Sequence, residues 1–286
     1  MQQLTFTETP RLEGARLVMG FSGWMNGGDV SKGTVEYLKS VLPVKRFAWI
    51  SPQDFYIFSF PGTMDEVAQF RPHCSIENGV LAQFNYPVNE FFYDEDSNLV
   101  LFLGKEPHLQ WDHYVNCLLE VVDKVGIGEL YFAGSVAGAI PHTREVKITC
   151  SVADEQQKQR LSDLDVSFSE YEGPASITTL ITDASQRSNK HMTSLVAEVP
   201  VYVQTKNYKA IRAILKRLVN LLEMRLNFDE LTHKSADFEK TLNELVSKQP
   251  QLAEHVRKLE EEYDKELFHD HSDFDKWLRD HGINAL

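Results

Sequence analysis

The chain has little of several things that would mark particular protein classes. Its 286 residues contain only three cysteines, Cys74, Cys117 and Cys150, odd in number and far apart. That excludes a disulfide framework and the paired thiolate spacing of a structural zinc site, and it suits a reducing, cytoplasmic setting. Positive charge is also scarce: 29 basic side chains face 42 acidic ones, for a formal charge of −13. Sequence-independent binding to nucleic acid or to an anionic membrane surface requires a basic surface, so neither partner is expected. The longest nearly apolar stretches, residues 99–103 and 131–140, fall well short of the ~20 residues that span a bilayer. Residues 1–10 carry neither the basic cluster nor the apolar core of a signal peptide. What is present, 42% hydrophobic and 11% aromatic content, is enough to build a substantial core.

Short β-branched or aromatic runs alternate with amphipathic stretches from residue 16 to about 202, the signature of a layered α/β structure with a substantially parallel sheet. Strands are expected near 16–21, 46–51, 80–84, 98–104, 129–135, 146–152 and 201–204, each short enough to be buried. Helices are expected at 29–40, 108–125, 154–161 and 176–187, with Asp154 capping the third and Gly173-Pro174 preceding the fourth. After Asn207 glycine is absent until Gly282, and the apolar residues Ile211, Ile214, Leu218, Leu221 and Leu222 keep a helical beat. A further helix fits 229–246, Pro250 interrupts it, and Leu252, Val256, Leu259, Tyr263 and Leu267 form a second apolar stripe. The chain thus divides into a body, 1–225, and an acidic helical extension, 226–286, holding 15 acids against eight bases. The stripe requires cover, either from the chain's own body or from another subunit or protein.

Three segments could carry chemistry, each where a predicted strand runs into a loop. Gly20-Phe21-Ser22-Gly23-Trp24-Met25-Asn26-Gly27-Gly28-Asp29 matches neither G-x-G-x-x-G nor the phosphate loop G-x-x-x-x-G-K-[ST], and Asp29 puts a negative charge at the helix start. Trp24 at such a tip closes a pocket, anchors an interface or packs over the sheet end. In Gly104-Lys105-Glu106-Pro107 and the following 108–113, Glu106 could accept from the amides of a neighbouring loop or move a proton. His108 and His113 are five positions apart and do not form a helical metal pair, so no metal is assigned. In 134–144, His142, Thr143 and Arg144 bring together a titratable ring, a hydroxyl and an anion binder. Ser135 is not in G-x-S-x-G, but its hydroxyl could line a cleft.

If these loops share a sheet edge, their candidate ligand site comprises Gly23, Trp24, Asn26, Glu106, Trp111, Ser135, His142, Thr143 and Arg144. There Arg144 would clamp an anion, Glu106 or His142 would move protons, and Trp24 or Trp111 would stack on an anionic or nucleoside-like ligand. The plainer alternative is Arg144 paired with Glu106, locking two loops together. His269, His271 and Asp273 read as a solvated helical surface, and Cys150 as an apolar filler within a strand. No nucleophile, catalytic residue or cofactor is assigned.

Taken together, G-F-S-G-W-M-N-G-G at 20–28, G-K-E-P-x-x-x-W at 104–111 and P-H-T-R at 141–144 resemble the proteasome assembly chaperone 2 family. Arg71-Pro72, Tyr171-x-Gly173-Pro174 and Glu198-x-Pro200-x-Tyr202 extend the resemblance over most of 16–225, and the helical tail resembles that of the family's bacterial, actinobacterial-type branch. The resemblance implies a phosphorylase/hydrolase-like three-layer α/β sandwich with a C-terminal helical extension. It also implies a homo-oligomer, with a trimer as one candidate size, and says much less about activity. Together with the uncovered stripe it leads to the expectation of a noncatalytic, assembly-chaperone-like module with a protein client, the alternative being a small-ligand binder or enzyme that uses the cleft above. One departure is at the end of the sequence. Proteasome-binding relatives carry a hydrophobic-Tyr-x tail, whereas here the last residues are Asn284-Ala285-Leu286, which supply no tyrosine. Nor is there a paired lysine and acidic magnesium motif to support an ATP-grasp reading.

Overall fold

A computed structural model describes residues 3–280, with side chains described up to 266 except that of residue 163. Along the chain it runs β1 (Leu4–Phe6), β2 (Ala15–Ser22), α1 (Val30–Val41), β3 (Lys45–Ile50), α2 (Met64–Ala68), β4 (His73–Glu77), β5 (Val80–Asn85), β6 (Glu90–Asp94) and β7 (Leu99–Lys105). It continues with α3 (Trp111–Val125), β8 (Ile127–Gly138), β9 (Ile148–Val152), α4 (Gln156–Leu161), β10 (Ser167–Phe168), α5 (Ile177–Arg187), β11 (His191–Pro200), α6 (Tyr208–Leu221), α7 (Asp229–Ser247) and α8 (Pro250–Asp280).

Nine strands form one sheet in the order β1-β3-β6-β7-β2-β8-β11-β9-β10. The central strands β7, β2, β8 and β11 are mutually parallel, while β1, β3, β6 and β9 enter by antiparallel pairings. Parallel neighbours need helical crossovers, which places helices on both faces. On one face α3 presents Tyr114, Leu118, Val121 and Val125 at helical spacing, and α5 adds Ile177 and Ile181. On the other face α1 contributes Val30, Val35 and Leu38, and α6 contributes Ile211, Ile214 and Leu218. The result is the expected three-layer α/β sandwich. Gly20 of β2 lets α1 lie close on the sheet, because a Cβ there would lie 2.5 Å from the Ser31 carbonyl oxygen of α1.

Two strand expectations require correction. Residues 201–204 form a turn, and the strand is β11, one step earlier. It is buried on both faces: Met192 joins one core cluster, and Leu195, Ala197 and Val199 join the other. The run at 80–84 is a strand, but not a buried one: β5 pairs only with β4, as a separate two-stranded hairpin whose side chains are almost all exposed. The C-terminal helices lie back on the body. Pro250 opens α8, where its missing N–H is no loss, and the stripe residues Val256, Leu259 and Tyr263 are buried. The side chains of Leu267, His269, His271 and Asp273 and the segment Asn284-Ala285-Leu286 lie outside the described residues. Among the described residues, no helix is long and apolar enough to cross a membrane.

Candidate functional site

Glu106 follows β7 and spans two elements with its two oxygens. Oε2 accepts the Trp24 amide at 2.8 Å, and Oε1 accepts the Ile177 amide at 2.9 Å, where α5 begins. The carboxylate therefore satisfies an orphan N–H at a helix start, in the field that favours negative charge, while it holds the β2–α1 loop. Gly23 permits the approach: its φ is +139°, and a Cβ there would lie 2.7 Å from that of Glu106. The same loop is fixed from its other side. The Ser135 amide donates to Met25 O at 3.0 Å and its buried hydroxyl to Gly27 O at 2.7 Å. Asn26 bonds Asp29 and the Lys32 amide and so organises the entry to α1. Trp111 is half-buried, with its indole N–H donating to Pro107 O at 2.8 Å.

His142, Thr143 and Arg144 serve a different brace. The Tyr202 hydroxyl accepts the His142 amide at 2.8 Å and so has its own proton to give to Nδ1, also at 2.8 Å. That leaves Nε2–H to donate to Asn243 of α7 at 3.1 Å, the geometry of a neutral ring. Burial lowers the ring's pKa, the Asn243 bond and nearby Glu239 and Glu260 oppose that shift, and Lys209 adds to it. Arg144 makes a two-pronged contact with Asp264 of α8, both bonds 2.8 Å, and reaches Glu260 at 3.3 Å. Its hydrogen bonds hold the Asp264 carboxyl below the usual carboxylate range. Thr143 bonds Glu260, and Lys147 pairs with Glu266. The expected Arg144–Glu106 lock is therefore replaced: acids of the C-terminal helix take Arg144, and backbone amides take Glu106.

A cavity of about 430 Å³ opens beside this frame, and of the nine candidate residues only Trp24 lines it. Its floor is the face of the sheet where Ser194 and Val196 of β11 pair with Ser151 and Thr149 of β9. Thr178, Thr179, Thr182, Asp183 and Gln186 of α5 form one wall, and Trp24 and Met25 meet Tyr171 and Pro174 at the rim. The lining contains no lysine, arginine or histidine, and its one carboxylate, Asp183, is paired with Arg187 at 2.7 Å. Burial pushes the Cys150 thiol up to about 12, which removes it as a nucleophile near neutrality. This arrangement can bind polar groups, but it has no activated nucleophile and no acid–base pair. The hydroxyls of α5 are outside the nine candidate residues, although S-I-T-T-L-I-T-D at 176–183 puts Thr178 and Thr182 one turn apart on one face.

The family model described as PAC2 family matches residues 20–246, which includes all three loops, the cavity and nearly all of α7. Among solved structures, a PAC2 family protein from Streptomyces avermitilis is 27% identical, with a TM-score of 0.71, covering 85% of this chain and 99% of that one. A Mycobacterium tuberculosis proteasome-assembly chaperone homologue is 24% identical, with a TM-score of 0.73, covering 84% and 99%. A Corynebacterium glutamicum protein of unknown function is 18% identical, with a TM-score of 0.80, covering 94% and 99%. No curated protein sequence matches the chain.

Proposed function

Because this chain belongs to the PAC2 family, we propose that it is a noncatalytic protein-interaction module that assembles with itself and engages a protein client in the cytoplasm. The observation that carries the reading is the β4–β5 hairpin. Ile76, Val80 and Leu81 are 67%, 68% and 58% exposed, Phe84 and Tyr86 stand beside them with ring centroids 4.9 Å apart, and Val88 continues the patch. A lone two-stranded hairpin is marginal in water, and an apolar cluster on it with open strand edges is a surface built for a partner. The hairpin sits in neither core cluster, so its apolar residues do not serve the fold of the body. A second copy of the chain is the proposed occupant: pairing of the hairpin with itself closes as a two-fold dimer, and pairing with another surface of the next copy closes as a ring, a trimer being one candidate size. Client engagement rests on the likeness to the mycobacterial proteasome-assembly chaperone homologue. The exposed free thiol of Cys74 on this hairpin is in keeping with a reducing compartment.

Sedimentation velocity over a range of concentrations tests the reading. The wild-type chain should sediment above its 32.8 kDa monomer mass, and Leu81→Glu with Phe84→Glu should return it to monomer with an unchanged far-UV spectrum. A wild-type monomer at all concentrations, or an oligomer indifferent to both substitutions, rejects the hairpin as the interface.

A further inference from the structure

The cavity between α5 and the β9–β11 edge is independent of the hairpin and has a chemistry of its own. From its lining we infer that it is a binding site for a neutral, polyhydroxylated ring compound. Its size falls within the roughly 300–1,000 Å³ usual for small-molecule pockets. Its polar groups are predominantly hydroxyls, which donate and accept and therefore match sugar hydroxyls in either sense. Several are already committed: Thr182 bonds back to Thr178 O at 2.9 Å, and Ser176 pairs with Thr178 at 2.7 Å. Ser151, Ser169 and Ser194 are not: among the described residues their hydroxyls have no hydrogen-bond partner. Ser194 is only 5% exposed and stands on the cavity floor. Its hydroxyl is reached by solvent in the cavity and makes no bond to the protein, so a ligand hydroxyl can take the place of water there.

Charge narrows the class. An anion entering the cavity would lose hydration and find no basic side chain in the lining, and a cation would meet only Asp183, already paired with Arg187. Trp24 supplies the remaining element. It is 66% exposed, yet its backbone amide is fixed by Glu106, so an indole stands at the rim on an anchored loop, able to cover one face of a ring. A glycoside and a nucleoside share the required features of a stackable ring bearing hydroxyls.

The test uses the full chain and six probes in calorimetric titrations, with thermal shift in parallel. Adenosine, uridine and methyl β-glucopyranoside represent the neutral class, and AMP, UMP and glucose 6-phosphate are their charged counterparts. At least one neutral probe should bind, with its phosphorylated counterpart weaker by about tenfold or more. Nucleosides binding without the glycoside, or the reverse, identifies the source. Trp24→Ala and Gln186→Ala change exposed side chains and leave the fold intact, and each should weaken the binding probe several-fold. Ser194→Val should weaken it about tenfold, the cost of one lost buried hydrogen bond. Absence of binding by all three neutral probes up to about 10 mM, equal or tighter binding of the phosphorylated forms, or affinity unchanged in all three variants overturns the inference.

Discussion

Glu106 and Arg144 are both charged residues on loops beyond strands of one sheet, yet they do different work. Glu106 binds two backbone amides, on the β2–α1 loop and at the start of α5, so its bonds close the body upon itself. Arg144 binds carboxylates of α8, so its bonds attach the C-terminal helices to the body. Amides at a helix start have no alternative protein partner if the carboxylate is removed, whereas Arg144 and its acids can return to water. Charge in a loop is thus not enough to mark a reactive site. Among the described residues, the hydroxyls of Ser151, Ser169 and Ser194, which make no protein hydrogen bond, lie elsewhere, in the cavity lining.

The contrast should be visible in urea unfolding. Glu106→Ala is expected to give the largest effect, about 3 kcal/mol of lost global stability, because two charge-assisted bonds to partly covered amides disappear together. Arg144→Ala should cost about 1 kcal/mol or less, since its side chain is one-third exposed and its partners are solvated. That loss should be local: proteolysis within α7 and α8 should speed up while the body resists as before. Similar global losses for the two variants would remove the distinction.

The smallest effect concerns pH. The folded environment depresses the His142 pKa below its ordinary 6.5, so the unfolded or undocked ring binds protons more readily than the docked one. The contribution of this ring to docking is therefore full above about pH 6.5 and fades as pH falls through the depressed value. Hydrogen exchange in α7, corrected for intrinsic rates, should accelerate between about pH 7.5 and 5.5 while α5 stays unchanged. His142→Asn, retaining a polar side chain without the titration, should flatten that dependence.

The sequence makes the apolar skeleton readable because period and run length survive without tertiary information. β2, β7 and β8 show as apolar runs, and α3 as a stripe ending at Gly126, a left-handed position with φ +82°. β11 was hidden because its Thr193, Ser194 and Glu198 dilute the apolar signal, two of them buried, with Ser194 on the cavity floor. β6, E-F-F-Y-D, is short and bounded by acids, so it resembles a loop until β3 and β7 flank it. Glu106 as an acceptor of loop amides could be read from a carboxylate placed between a strand and a helix. The partners of Arg144 could not: Asp264 lies 120 positions away, and nothing in local spacing selects it over the other acids of the tail.

The central claim is that the polar loops form two separate braces rather than one site, and a double-mutant cycle measures it directly. Unfolding free energies of Glu106→Ala, Arg144→Ala and the double variant should add, with a coupling energy within about 0.5 kcal/mol of zero. A coupling above about 1 kcal/mol would mean that the two residues act on each other, and the division into body clasp and helix anchor would be contradicted.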